Sequence, residues 1–201
     1  MRATVFTIGH SNHSSERFVE LLRAHRVTAV CDVRSRPFSA YNPQFNKDIL
    51  RRTLGKADIE YVFVGEELGA RSSDPGCYED GQVVYARLAA TDMFQSGIDR
   101  VCEGAQRYRV ALMCAEKDPA ECHRSILVAK ALVERGVPVE HIGADGSLES
   151  QTAMMERLLA ELKLPTSHLF VDHAQLIRDA YEIQGSRIAF AMPEADLRIA
   201  T

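Results

Sequence analysis

The chain lacks tryptophan, and it has no apolar run approaching the roughly 18 residues that a membrane-spanning helix needs. It also lacks an excess of positive charge: 24 lysines and arginines stand against 28 aspartates and glutamates, for a formal net charge of −4. Nucleic-acid and anionic-membrane surfaces both need a basic patch, so neither a general nucleic-acid surface nor a membrane role is expected. A local basic pocket built from Arg34, Arg36, Arg51 and Arg52 remains compatible with this balance.

Export signals and disulfide patterns are missing too. The first residues lead straight into a β-branched run without a signal-type apolar segment, and the five cysteines are an odd number. Reduced thiols and a cytoplasmic location are the expectation.

Alternating strand and helix patterns are present along most of the chain. Strands are predicted over residues 4–8, 27–33, 59–64, 110–114 and 137–142. Helices are predicted over residues 15–25, 45–54, 83–90, 98–107, 125–136 and 150–162. Such alternation favours an α/β fold with a mainly parallel sheet, a Rossmann-like arrangement of three layers with helices on both faces.

A boundary is expected near residues 163–165, at Lys163, Leu164 and Pro165. Residues 1–162 would then form the α/β domain. Residues 163–201 would form a short extension, with one helix over 174–183 and a short apolar run over 188–192, that packs on the domain or serves as a homodimer arm. Residues 65–81, rich in glycine and charge, are expected to form a long loop that is either a lid or partly disordered.

The segment after the fourth strand carries more chemistry than a connecting loop requires. It contains Cys114, Glu116, Cys122, His123 and Arg124 within eleven residues, and a helix follows it. Loops at the carboxyl ends of parallel strands hold the sites of open α/β folds. The other strand ends bring further candidates to the same edge: His10, Ser11, Asp32, Arg34 and His141.

Cys114 has two interpretations. A thiol at a strand end beside a helix N-terminus gains thiolate character, which suits a nucleophile, with Glu116, His10 and His123 as acid–base partners. The alternative is an inert cysteine that fills the end of the strand. Asp32 and Arg34 lie on one face of their strand, where they either orient a substrate or form an ion pair with each other. His10 and His141 are alternatively hydrogen-bonding residues that order their own loops.

The helix that starts at Arg124 and Ser125 suits an anion, because free backbone amides and a guanidinium meet there. Arg124 could instead pair with Asp32 or Glu116. Zinc is a further candidate, with Cys114, Cys122 and His123 as ligands. The spacing is not that of a standard zinc knuckle, however, and Cys122 and His123 would point apart if both were helical.

These motifs together resemble the family called domain of unknown function 488. Its members show Ile-Gly-His-Ser, Asp-Val-Arg, Leu-Gly-Gly, Cys-x-Glu and Cys-His-Arg in this order, and the likeness covers residues 4–162. Here the motifs begin at Ile8, Asp32, Leu68, Cys114 and Cys122. Ala70 replaces the second glycine of the third motif. The resemblance implies the domain and leaves its activity open.

A more distant likeness is to rhodanese-type domains, which also have an Asp-Val-Arg strand and a later strand, cysteine loop and helix. The loop between Cys114 and Arg124 holds nine residues and is longer than the usual compact cradle. The likeness suggests sulfur or phosphoryl transfer at a thiolate.

The sequence therefore predicts a small enzyme, a thiol-dependent transferase or hydrolase, that acts on an anionic substrate such as a nucleotide, a phosphoester or a sulfur-bearing group. Two alternatives stay open. One is a non-catalytic module that binds a nucleotide or the end of a nucleic acid, and the other is a domain stabilised by zinc on structural thiols.

Overall fold

The computed structural model describes residues 3–164 and 172–193. The strands are β1 (Val5–Gly9), β2 (Ala29–Asp32), β3 (Glu60–Phe63), β4 (Tyr78–Glu79), β5 (Gln82–Val83), β6 (Val110–Cys114), β7 (Val139–Ile142) and β8 (Leu148–Ser150). The α-helices are α1 (Ser15–Ala24), α2 (Lys47–Gly55), α3 (Gly65–Leu68), α4 (Tyr85–Ala89), α5 (Asp92–Gly104), α6 (Lys130–Glu134), α7 (Gln151–Glu161) and α8 (His173–Ile188). A π-helical segment, Arg124–Ala129, runs directly into α6.

Six strands form the central sheet in the order β3-β2-β6-β1-β7-β8. The first five in this order are mutually parallel, and β8 joins the edge antiparallel to β7. The predicted α/β class with a mainly parallel sheet is therefore confirmed. Because the strands are parallel, the loops that follow β1, β2, β3, β6 and β7 all leave from one edge of the sheet.

Alternation along the strands divides the core between the two faces of the sheet. In β6, Val110, Leu112 and Cys114 pack into one apolar cluster, whereas Ala111 and Met113 pack into the other. Helix α1 buries Phe18, Leu21 and Leu22 in the second cluster, and Ser14 caps it by accepting a hydrogen bond from the Arg17 amide. The π-helical segment and α6 pack on the opposite face of the sheet, in the same apolar cluster as Val110, Leu112 and Cys114.

Helices α7 and α8 form a third apolar cluster with the short helical turn Pro119–Glu121 and the π-helical segment. Leu176 and Ala180 of α8 are buried there, so the part of the predicted extension that the structure describes packs on the domain. Residues 165–171 and 194–201 of that extension lie outside the described residues. Among the helices in residues 3–164 and 172–193, none has both the length and the apolar composition required to cross a bilayer.

Several predicted boundaries were wrong. Residues 65–81 are not a continuous loop, because α3 opens the segment and a 3-10 turn with β4 closes it. The sheet does not end at β7: Gly143 to Ser147 form a turn closed by a backbone hydrogen bond, and β8 follows. Helices α5 and α8 are also longer than predicted.

Candidate functional site

The site lies where the chain leaves two neighbouring strands in opposite directions. Gly9 at the end of β1 pairs with Cys114 at the end of β6. After β1 the chain passes to α1 on one face of the sheet, and after β6 it passes to α6 on the other. Divergent loops at such a switch point leave a crevice between them, which is where open α/β folds bind ligands.

A cavity of about 710 Å³ occupies this crevice. Six of the predicted site residues line it: His10, Ser11, Arg34, Cys114, Glu116 and His123. The prediction that separate strand ends converge on one crevice thus agrees with the geometry for residues from β1, β2 and β6.

Four side chains form what we call the thiol cluster: Cys114, Glu116, Cys122 and His123. Glu116 Oε2 lies 3.0 Å from the sulfur of Cys114 and 3.0 Å from that of Cys122. His123 Nδ1 lies 3.6 Å from the Cys114 sulfur and 4.0 Å from the Cys122 sulfur. The other ring nitrogen, Nε2, lies 3.0 Å from the carbonyl oxygen of Val33. Because a carbonyl only accepts, Nε2 carries the proton and Nδ1 faces the thiols.

The local backbone explains why Cys122 and His123 converge. Cys122 has extended φ and ψ angles of −138° and 136°, and the helical conformation starts only at His123. The carbonyl of Cys122 accepts the amides of Ser125 and Ile126, which makes Cys122 the N-cap of the helix. The expectation that the two side chains would point apart assumed that both were helical, and it was wrong for this reason.

The two cluster thiols differ in their electrostatics. Burial, followed by the hydrogen bond and charge of Cys122, raises the pKa of Cys114 well above its usual value. Burial alone would raise the pKa of Cys122 as well, but the Cys114 hydrogen bond and the charges of Arg124 and His123 outweigh it and lower that pKa well below its usual value. Elsewhere in the core, burial raises the pKa of Cys31 to about 12. The charges of Arg124 and His123 thus favour the thiolate form of Cys122 over that of Cys114.

His123 and Glu116 complete this charge distribution. Burial would lower the pKa of His123, but the hydrogen bond and charge of Cys122 raise it on balance. Glu116 is exposed as a residue, yet its carboxylate end lies against the buried sulfurs. Loss of hydration there, followed by the charge of Cys122, raises the pKa of Glu116. The protonated form of the Glu116 carboxyl is thus favoured relative to that of an exposed glutamate.

Asp32 and Arg34 form the ion pair that the sequence left as one of two alternatives. Arg34 donates from Nε and Nη2 to the two carboxylate oxygens of Asp32, at 2.9 and 2.6 Å. Tyr61 donates a further hydrogen bond to the same carboxylate at 2.8 Å. Because Asp32 is fully buried and bidentate, it neutralises Arg34, which brings no free positive charge to the cavity.

His10 is held by the same ion pair. Arg34 Nη1 lies 3.2 Å from His10 Nε2, while His10 Nδ1 lies 2.8 Å from the carbonyl oxygen of Ser11. The ring is stacked on Phe45 with centroids 4.3 Å apart. Burial lowers the pKa of His10 to about 4, so the ring is neutral near pH 7 and its acceptor nitrogen is already engaged. This arrangement fits a positioning residue better than a general base.

Arg124, Ser125 and His141 do not line the cavity. Arg124 is 1% exposed and donates to the carbonyl oxygens of Glu116 and Lys117 and to the hydroxyl of Thr7. Ser125 is fully buried, and its hydroxyl has no hydrogen-bond partner among the described residues. Their predicted contact with substrate stays a prediction, and the geometry instead gives Arg124 the task of holding the loop that carries Glu116.

His141 belongs to a buried hydrogen-bonded chain. Its Nδ1 lies 2.8 Å from the Thr7 hydroxyl and its Nε2 lies 2.7 Å from Gln151 Oε1. Gln151 in turn donates to Tyr181 of α8. Sequence reasoning missed Thr7, Gln151 and Tyr181, because nothing in their local pattern distinguishes them from other polar residues. The chain links the end of the sheet to the C-terminal helix through a neutral imidazole.

Acid is expected to weaken the fold through His141. Burial lowers the pKa of His141 from 6.5 to about 4, so between these pH values the unfolded chain takes up a proton that the folded protein does not. Stability from this residue is complete above pH 6.5 and is lost as the pH falls to 4, by about 3 kcal/mol. Urea unfolding at several pH values should show His141→Gln converging with the unsubstituted protein toward pH 4. Parallel curves would contradict this, and His173→Gln, at a half-exposed site on α8, is the control.

Two exposed arginines and an aromatic ring at this edge were not among the predicted site residues. Arg36, Arg71 and Phe38 all line the cavity. Within residues 3–164 and 172–193 neither arginine has a carboxylate partner, and Arg71 lies over the ring of Phe190, 4.3 Å from its centroid. Arg36 and Arg71 thus bring two positive charges to the wall of the cavity, which Glu116 and Glu121 also line.

Comparison with known proteins identifies one family. The family model described as "Domain of unknown function DUF488" matches residues 14–131, which is more than half of the chain. No curated protein and no solved structure matches the chain. The matched segment contains β2 and β6 with the thiol cluster, so the family covers most of the site.

Proposed function

Because the chain belongs to the DUF488 family, a family of unknown function, its activity has to be argued from the site, and we propose that it is a small enzyme acting on an anionic substrate. The observation that carries this proposal is that Cys114, Glu116 and His123 of the thiol cluster line the same cavity as Arg36 and Arg71. Reactive groups and cations without a carboxylate partner in one cavity are the two parts that such an enzyme needs.

Each part of the site has a distinct proposed role. Arg36 and Arg71 bind the anionic group, since a guanidinium presents a planar fork to phosphate, sulfate or carboxylate oxygens. The thiol cluster is the reacting centre, and Glu116 moves a proton beside it. The Asp32–Arg34 pair holds His10, which shapes the floor. Thiol-dependent transfer or hydrolysis follows as the reaction class, and the likeness to rhodanese-type domains remains a prediction.

An aromatic side chain indicates which class of anionic substrate the cavity fits. Phe38 lines the cavity with 72% of its surface exposed, next to Arg36 in the same loop. A flat base stacked on Phe38 with its phosphate on the arginines fits this pairing, and a nucleotide is therefore the preferred substrate class. The same feature supports the alternative of a nucleotide-binding module, from which turnover distinguishes an enzyme.

Adenosine monophosphate is the first probe. We expect measurable binding by calorimetry, and a loss of at least about tenfold in affinity for the Arg36→Gln, Arg71→Gln double variant, because each charge-assisted hydrogen bond is worth about 1.5–3 kcal/mol. Arg52→Gln with Arg107→Gln removes the same charge from exposed residues that do not line the cavity and should leave the affinity unchanged. Equal losses in both double variants would show that only net charge matters and would contradict an anion site in the cavity.

A further inference from the structure

We infer that Cys114, Cys122 and His123 bind a zinc ion whose fourth position, beside Glu116, opens on the cavity. The donor atoms of the first three residues, two sulfurs and the imidazole Nδ1, all lie within 4.8 Å of one another. This proposal names a metal at the same site, where the two thiols act as ligands instead of nucleophiles, and it does not require that the substrate proposal is correct.

The distances fit a tetrahedral ion. Zinc bonds of about 2.3 Å to sulfur and about 2.0 Å to nitrogen, at the tetrahedral angle, separate a sulfur from a nitrogen ligand by about 3.5 Å. In the structure Nδ1 of His123 lies 3.6 Å from the sulfur of Cys114 and 4.0 Å from that of Cys122. The imidazole nitrogen therefore lies within about 0.5 Å of the tetrahedral separation from each sulfur.

The neighbouring hydrogen bonds prepare His123 as a ligand. Its Nε2 donates to the backbone carbonyl of Val33 at 3.0 Å, which leaves the lone pair of Nδ1 toward the sulfurs. Metal-bound imidazoles commonly have such a partner on the second nitrogen, because it sets both the tautomer and the ring orientation. The extended backbone at Cys122 then turns its thiol to the same point.

The local charges point the same way. Arg124 is 1% exposed, and in the part of the chain that the structure describes it has no carboxylate partner, only carbonyl and hydroxyl oxygens. A buried cation needs negative charge nearby. Two thiolates balance the charge of a divalent zinc ion, so the ion can bind beside Arg124 without adding net positive charge.

The fourth position distinguishes an open site from a closed structural one. Glu116 Oε2 stands 3.0 Å from both sulfurs, closer than the separation of two ligands on one zinc ion, so the carboxylate must move back when the ion binds. Cys114, Glu116 and His123 all face the cavity. A water or substrate atom can therefore reach the ion, with Glu116 next to it as a proton acceptor.

Metal content of the full chain tests the proposal. Protein purified without chelators or metal-affinity resin should contain about one zinc per chain by elemental analysis, and X-ray absorption should show two sulfur ligands. Cobalt exchanged into the site should give the thiolate charge-transfer band and the intense visible bands of a tetrahedral ion. A wild-type protein that stays metal-free after incubation with zinc, or a first shell without sulfur, overturns the proposal whatever the variants do.

The zinc affinity of single-residue variants distinguishes the proposed ligands from cysteines that do not bind the ion. Cys122→Ser should lower zinc affinity at least about 100-fold in competition with a chromophoric chelator, since a thiolate ligand is lost. Cys102→Ser, at a half-buried thiol of α5, should retain full affinity. Glu116→Gln should keep the ion, because three ligands remain. Loss of zinc in Cys102→Ser, or retention in Cys122→Ser, contradicts the ligand set. Because no substrate is used, zinc binding and adenosine monophosphate binding can fail independently.

Discussion

Replacing Gly9 with alanine is expected to lower the free energy of unfolding by at least about 3 kcal/mol and to displace Glu116. A Cβ atom at this position would lie 1.9 Å from the carbonyl oxygen of Glu116 and 2.9 Å from its carbonyl carbon. Both are backbone atoms, so no rotamer change can relieve the overlap. The loop must move, and Arg124 then loses its 2.7 Å hydrogen bond to the same carbonyl.

Gly55→Ala is the matched control for this substitution. Gly55 ends α2, and a Cβ atom there would meet nothing within 4 Å. We expect unchanged or slightly higher stability, because alanine is the better helix former by up to about 1 kcal/mol. Urea unfolding compares the two variants. If Gly9→Ala stays within about 0.5 kcal/mol of Gly55→Ala, the loop is not packed against β1 as the structure has it.

Much of the site could be predicted because parallel strands share one edge. His10, Arg34 and Cys114 each follow a buried, β-branched or apolar run, and a parallel sheet brings such strand ends together without further information. The same logic made the α/β class predictable from alternation alone. What these residues do at that edge depends on partners far away in the chain, such as Tyr61 and Phe45, which local pattern does not reveal.

Two features of the site depended on details that periodicity does not contain. The convergence of Cys122 and His123 follows from one extended residue before the helix, and a shift of a single residue in the helix start would have separated the side chains. The second feature is the burial of the Arg124 side chain inside the fold. A guanidinium at a helix start normally suggests an anion outside the helix, yet here three acceptors inside the fold are aligned to receive it.

Arg124→Met is expected to lower the free energy of unfolding by about 3–5 kcal/mol, which is more than the loss expected for Arg157→Met. Methionine fills much of the volume but leaves the carbonyls of Glu116 and Lys117 and the Thr7 hydroxyl without their buried donor. An acceptor that loses its donor inside the fold carries a desolvation cost, and hydration offsets only part of it at the part-buried carbonyls of Glu116 and Lys117. The effect is therefore large although the side chain makes no ion pair with a carboxylate in the described chain.

Arg157→Met is the comparison variant, because it removes three ion pairs and yet should lower the free energy of unfolding by less. Arg157 bridges Asp118, Glu149 and Glu161, but its side chain is 33% exposed, and the freed carboxylates can be hydrated. Surface pairs of this kind contribute about 0–1 kcal/mol each, so this loss should be the smaller one. Urea unfolding of the two variants at pH 7 decides the order. If Arg157→Met costs more than Arg124→Met, buried carbonyl acceptors matter less than exposed ion pairs, and the loop over β1 is held by something other than Arg124.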